Sequence, residues 1–192
     1  MKIDLSVVLL LILGLLLTAR IASQSPTTRQ ALAQDTVIQG YPCAKGYAWF
    51  YPSGHLNRCA VSSQTAFGEA RIPAGSIIQL RPDGTTQYVM LAHNTRVAGY
   101  DARGGSFLGP SEGDITAFYP SGQLRSVYLV GNQTIQGVPC RGGQWAIFTD
   151  PVNGGDAVEF YKNGTLRSCK LTRDYGGGKS GHRIVLPAGG GQ

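Results

Sequence analysis

Four copies of one short phrase confine this chain to a narrow set of folds. Phe118-Tyr119-Pro120-Ser121-Gly122-Gln123-Leu124 recurs as Phe50-Tyr51-Pro52-Ser53-Gly54-His55-Leu56 and as Phe160-Tyr161-Lys162-Asn163-Gly164-Thr165-Leu166, with a worn copy at Leu80-Arg81-Pro82-Asp83-Gly84-Thr85-Thr86. Proline presets φ at the first corner, Ser or Asp suits the second, and glycine takes the left-handed position that closes a type I turn with a bulge. Each copy therefore predicts a β-hairpin. Side chains alternate along a strand, so Phe50, Leu80, Phe118 and Phe160 share one face with Ala48, Ile78, Thr116 and Val158. Tyr51, Arg81, Tyr119 and Tyr161 share the other. The first set reads as a core ladder, and the second as an exposed ladder that is either plain surface or a recognition strip.

A second pattern precedes each hairpin: a Thr, an apolar position and two glycines, starting at Thr36, Thr65, Thr95 and Thr134. Units one and four match best, with Ile38-Gln39-Gly40-Tyr41-Pro42-Cys43 against Ile135-Gln136-Gly137-Val138-Pro139-Cys140. Extra length falls in Ser106 to Gly113 and Asp150 to Asp156, both turn-rich and expected as loops. The tail segment Ile184-Val185-Leu186-Pro187-Ala188-Gly189 resembles Ala70-Arg71-Ile72-Pro73-Ala74-Gly75 and begins a fifth unit. After each turn the small apolar residues step by three and then by two, as in Leu124, Val127 and Leu129, which predicts a bulge or bend in the return strand.

The cysteines follow the same columns. Cys43 and Cys59 in unit one, and Cys140 and Cys169 in unit four, stand where units two and three carry Ala74 with Val89 and Ala102 with Val127. In an oxidising compartment this favours Cys43–Cys59 and Cys140–Cys169 among the three connectivities that four cysteines allow, the rival being four buried free thiols. Metal binding is disfavoured, because no two cysteines have ligand spacing. The expected architecture is all-β, an antiparallel hairpin-repeat meander of four units plus a partial fifth after an N-terminal hydrophobic helix. Each unit alone buries little, so stacking of neighbours supplies the stability.

The FYPSGQL and FYKNGTL segments, Phe118 to Leu124 and Phe160 to Leu166, resemble the aromatic-x-x-Gly-x-Leu hairpins of MORN-variant repeat proteins. The resemblance covers the hairpin half of each unit, between Phe50 and Leu171. It implies an extended array of antiparallel hairpins, and scaffolding or binding to membranes or proteins. It assigns no functional residue.

Composition agrees with strands and turns. Glycine is abundant at 27 of 192 residues and charged residues make up only 15%, which disfavours long surface helices. The chain opens with Met1-Lys2-Ile3-Asp4, an apolar run from Leu5 to Leu17, and Thr18-Ala19-Arg20. That run has the length of a secretory h-region and falls short of the roughly 20 residues of a spanning helix. Residues 1–33 read as a signal peptide or an N-terminal membrane anchor with tether, and residues 34–192 as the repeat domain. Ala31-Leu32-Ala33 offers a cleavage site ahead of Gln34, and Ile21-Ala22-Ser23 a second one. Residues 18–35 read as tether, with the body starting near Asp35. Cleaved or retained, with membrane association through residues 5–19 in the second case, the body is expected outside the cytoplasm, periplasmic or secreted.

Signatures of catalysis are missing. His55, His93 and His182 have no motif-level nucleophile, and there is no G-x-S-x-G elbow. Gly176-Gly177-Gly178-Lys179-Ser180 lacks the glycine, strand and helix of a phosphate loop. Asp150 to Asp156 lacks EF-hand spacing. Glu69, Asp83, Glu112, Asp114 and Glu159 offer carboxylates for glycoside hydrolysis without singling out a pair. The chain therefore reads as a non-catalytic binding or structural repeat protein of the cell envelope, with no cofactor. Removing residues 1–33 takes Lys2, Arg20, Arg29 and Asp4 from a formal charge of +6 and leaves +4; that mild basicity points to an envelope protein complex or an anionic or carbohydrate polymer as partner, and export argues against nucleic acid. The alternatives are a membrane-anchored accessory subunit of a larger complex and a wall-polymer hydrolase. The candidate binding residues are Tyr51, Tyr119 and Tyr161 with Arg125 and Arg167, since arginine and tyrosine both offer planar contact area with polar edges.

Overall fold

The turn phrases fold as hairpins. The computed structural model describes residues 27–105, 114–143 and 157–189; the apolar run Leu5 to Leu17 and the two expected loops lie outside them. Gly54, Gly84, Gly122 and Gly164 take φ of 80°, 81°, 87° and 79°. Each donates its amide to the carbonyl three residues earlier, Gly122 to Tyr119 at 2.9 Å for example. Return strands then bulge as the spacing predicts. Phe118 faces Leu124 while Ala117 faces Ser126, so Arg125 is the extra residue, and Asn57, Gln87 and Arg167 take the same place in the other hairpins.

The first half of the chain supplies β1 (Thr28–Leu32), β2 (Thr36–Ile38), β3 (Tyr41–Phe50), β4 (Leu56–Val61), β5 (Thr65–Phe67), β6 (Ala70–Ile72), β7 (Ile77–Leu80) and β8 (Thr86–Met90). The second half supplies β9 (Thr95–Val97), β10 (Tyr100–Ala102), β11 (Ile115–Phe118), β12 (Leu124–Tyr128), β13 (Gln133–Ile135), β14 (Val138–Cys140), β15 (Ala157–Phe160), β16 (Leu166–Lys170) and β17 (Arg183–Val185). One antiparallel sheet of eleven strands runs in the order β1-β3-β4-β7-β8-β11-β12-β15-β16-β17, with β2 paired to the start of β3. Among the described residues it is open, with β1 and β17 at its ends. Three two-stranded ribbons, β5–β6, β9–β10 and β13–β14, stand apart from it.

The ribbons cover one face of the sheet and enclose the core. Ala48, Ile78, Leu80, Thr116, Phe118, Val158 and Phe160 are all buried on that face, as alternation requires. From the ribbons, Phe67, Val97, Ile135 and Val138 join the same cluster. Phe67 meets Phe118 edge-on at 5.3 Å and Tyr100 stacks on Phe160 at 5.0 Å. Both disulfides form as the columns indicate, Cys43–Cys59 and Cys140–Cys169. They stitch the ribbon half of units one and four to the return strand, and they point to an oxidising, extracytoplasmic environment.

Four details differ from the sequence reading. Thr36, Thr65 and Thr95 open their ribbons opposite Cys43, Ile72 and Ala102, but Gln133, not Thr134, stands opposite Cys140. Ile72, not Ala74, therefore fills the cysteine column of unit two, because Pro73 and Ala74 already belong to the connection. Residues 28–32, read as tether, form β1 and pair residue for residue with β3 from Phe50 back to Gly46. Backbone pairing is the main tie, supplemented by the buried Leu32 side chain and by Arg29, since the strand is otherwise exposed. In the fifth unit, Ile184 faces Cys169 as Ile78 faces Cys59. The tail thus matches Ile78 onward rather than Ala70 onward, and the glycine run 176–178 is a shrunken ribbon closed by a Tyr175–Gly178 bridge.

Candidate binding face

The tyrosines of the expected exposed ladder are half-buried, and each hydroxyl is committed. Tyr51 donates to the carbonyl of Leu80 at 2.8 Å, Tyr119 to that of Phe160 at 2.8 Å, and Tyr161 to that of Leu186 at 2.7 Å. Arg81 replaces tyrosine in the worn copy and donates from Nη2 to the carbonyl of Phe118 at 3.0 Å. Every rung reaches the unit that follows. The ladder is therefore a set of ties between units, and its phenol hydroxyls already have partners.

What these residues offer outward is ring face and attached charge. Lys162 Nζ lies 6.0 Å from the Tyr119 ring centre, and the Arg167 guanidinium 5.9 Å from that of Tyr161. Arg167 is about half exposed and 3.8 Å from Glu159; Arg125 is exposed. Both arginines are bulge residues, so the same backbone irregularity that keeps the core in phase sets these two cations on the surface.

A second cluster lies at the β1 end of the sheet. Arg29, Trp49 and Arg58 face one another across β1, β3 and β4. The Arg29 guanidinium is 4.4 Å from the Tyr47 ring centre, Arg58 is 5.7 Å from Trp49, and the two rings are 6.4 Å apart. Tyr47 remains 49% exposed. Cations and rings thus alternate on one patch. The patch is hard to see in the sequence, because Arg29 lies in a stretch that reads as tether. The Tyr47-x-Trp49 alternation was the available signal.

Glu69, Asp83, Asp114, Glu159 and Asp174 are engaged in structural contacts. Glu69 accepts from the amide of Leu124 at 2.7 Å. Asp114 pairs with Arg103, and Glu159 accepts from Ser168 Oγ at 2.9 Å. Asp83 accepts from the Thr85 hydroxyl at 2.6 Å and its amide at 2.9 Å, which holds its pKa below the ordinary carboxylate range. Glu112 lies outside the described residues, as does the Asp150 to Asp156 segment. In the glycine-rich tail Lys179 pairs with Asp174 at 2.8 Å, and that contact first, then the Ser180 amide, lowers the Asp174 pKa. A strand, β17, follows this segment where a phosphate loop would need a helix. Among the described residues no three of His, Cys, Asp and Glu gather as a metal site would need. No protein-family model, no curated protein and no solved structure matches the chain.

Proposed function

We propose that this is a non-catalytic binding or structural repeat protein of the cell envelope, whose aromatic-cationic face takes an anionic or carbohydrate polymer. The observation that carries the reading is the recurrence of ring-and-cation pairs at both ends of one sheet: Arg29 with Tyr47, Arg58 with Trp49, Lys162 with Tyr119 and Arg167 with Tyr161. Such pairs present flat apolar area beside fixed positive charge, which suits sugar rings carrying carboxylate, sulfate or phosphate. Among the described residues, Asp83, Asp114, Glu159 and Asp174 serve a turn and ion pairs and Glu69 docks a ribbon on a hairpin, which supports a binding role over hydrolysis.

Polygalacturonate and neutral dextran, immobilised separately, test it. Retention on the anionic matrix at low salt, falling as salt rises, is the expected result. Charge reversal at Arg125 and Arg167 (R125E/R167E) should weaken it with the thermal transition unchanged. No retention at low salt, or retention indifferent to that double variant, sinks the reading.

A second reading keeps the N-terminal segment as an anchor, making the protein an accessory subunit of a membrane complex. The pairing of β1 favours processing upstream of Thr28, or none, over cleavage before Gln34, which would strip a paired strand from the sheet. Intact mass of protein from its native host decides: a mature terminus at Gln24 opposes the anchor, and retention of Met1 to Arg20 supports it.

A further inference from the structure

Each unit alternates an outgoing strand (β3, β7, β11, β15) with a return strand (β4, β8, β12, β16), all antiparallel. The two ends of the sheet stop this alternation at different phases. β17 is an outgoing strand, since it meets β16 as β7 meets β4. Its open side fits a return strand. β1 lies ahead of β3 as β4 lies ahead of β7, which makes it a return strand whose open side fits an outgoing one. The frame is shared as well: one cross-strand row runs unbroken from Arg29 on β1 to Val185 on β17.

Among the described residues the two edges carry little protection beyond the shortness of β17, which is three residues long. Neither strand contains a proline or a bulge, and β1 is exposed from Thr28 to Ala31. Val185 is 64% exposed. The cations that could guard these edges turn back onto their own sheet: Arg29 lies over Tyr47, while Arg183 donates to Ser168 Oγ at 2.7 Å and to the Ala157 carbonyl at 3.1 Å. Edges of this kind accept another strand.

The geometry points to head-to-tail association, in which β17 of one molecule takes β1 of a second copy as its next return strand. Carrying the register across puts Val185 opposite Arg29, Ile184 opposite Gln30 and Arg183 opposite Ala31 of the second copy. The contact is heterologous, so it leaves a free edge at each end of the pair and continues into a row of copies sharing one sheet. That row would repeat the aromatic-cationic face along its length, and a polymer would meet it at several points at once.

The full chain, purified in mild detergent, is followed by sedimentation velocity over a concentration series. Species larger than the monomer should grow in with concentration. A V185C population mixed with an R29C population should cross-link under mild oxidation, while neither does so alone. A31K/V185K places like charges at the junction on two exposed positions, and should raise the midpoint concentration by about tenfold or more with the thermal transition unchanged. A monomer at every concentration overturns the proposal. So does cross-linking of V185C to itself as readily as to R29C, or association that ignores A31K/V185K.

Discussion

Tyr119 in the third hairpin donates its hydroxyl to the backbone carbonyl of Phe160 in the fourth, 2.8 Å away. The residue after one core ring therefore holds the strand that carries the next. Tyr119→Phe keeps the ring under Lys162 and removes only this tie. The expected cost is about 1 kcal/mol in urea-induced unfolding, as for a net hydrogen bond. An unchanged midpoint would mean that ring packing alone joins the units.

Arg81 is the imperfect rung. Its Nη2 reaches the Phe118 carbonyl, but its Nη1 is buried with no hydrogen-bond partner. Arg81→Tyr should complete the ladder and gain on the order of 1 kcal/mol by relieving that unmet donor. A lower unfolding midpoint would show that the guanidinium contributes something a phenol cannot.

Thr116 carries a hydroxyl into the apolar ladder of Ala48, Ile78 and Val158. The residue is fully buried and its Oγ1 has no hydrogen-bond partner. Thr116→Val keeps the shape and the β-branched preference for strands while deleting the stranded polar atom. Stabilisation of about 1 kcal/mol is expected by calorimetry, and destabilisation would contradict it.

Gly68 and Gly99 separate two reasons for a glycine. Both have positive φ, +59° and +87°, but a Cβ at Gly99 meets nothing within 4 Å, whereas one at Gly68 collides with the carbonyl oxygen of Gly122 and the Phe118 ring. Gly99→Ala should cost about 1–2 kcal/mol from backbone strain alone. Gly68→Ala should exceed it by at least about 1 kcal/mol. Equal costs would remove the close approach as a cause.

Asp83 makes the second hairpin's turn sensitive to acid. Thr85 lowers its pKa by hydrogen bonding to the carboxylate in the folded turn. The contribution is therefore present above the ordinary carboxylate range and is lost as pH falls through the depressed value. Asn163 makes the same two contacts to Thr165 without a charge, at 3.0 and 2.7 Å. Asp83→Asn should keep the turn and abolish acid loosening of the Thr85 amide, followed by its NMR shift across a pH series.

Local features were legible because they are recorded locally. Proline, glycine and spacing define the hairpins; the step of three then two marks the bulges that place Arg125 and Arg167; shared columns pair the cysteines. The long-range choices are not written in any window. Nothing beside Tyr119 says that its hydroxyl finds a carbonyl forty-one residues on, so a half-buried tie reads as an exposed ring. β1 buries one residue and shows no apolar alternation, so it looks like tether. The phase of the tail is hidden because two Pro-Ala-Gly segments look alike while serving different places in the unit.

Ribbon docking has the same character. Gln39 in unit one donates to the carbonyl of Gly54 and accepts from the amide of Leu56; Gln136 in unit four does likewise at Gly164 and Leu166. Each grips its own hairpin. Glu69 passes over the hairpin of its own unit and grips the third at Gly122 and Leu124. At the join of units two and three, therefore, the repeat that a gene could duplicate or lose is not the piece that holds together. Excising the third repeat would leave Glu69 without its anchor and Gly68 without the surface it was shaped to meet, so recombination can lengthen or shorten this array only where no ribbon crosses the join.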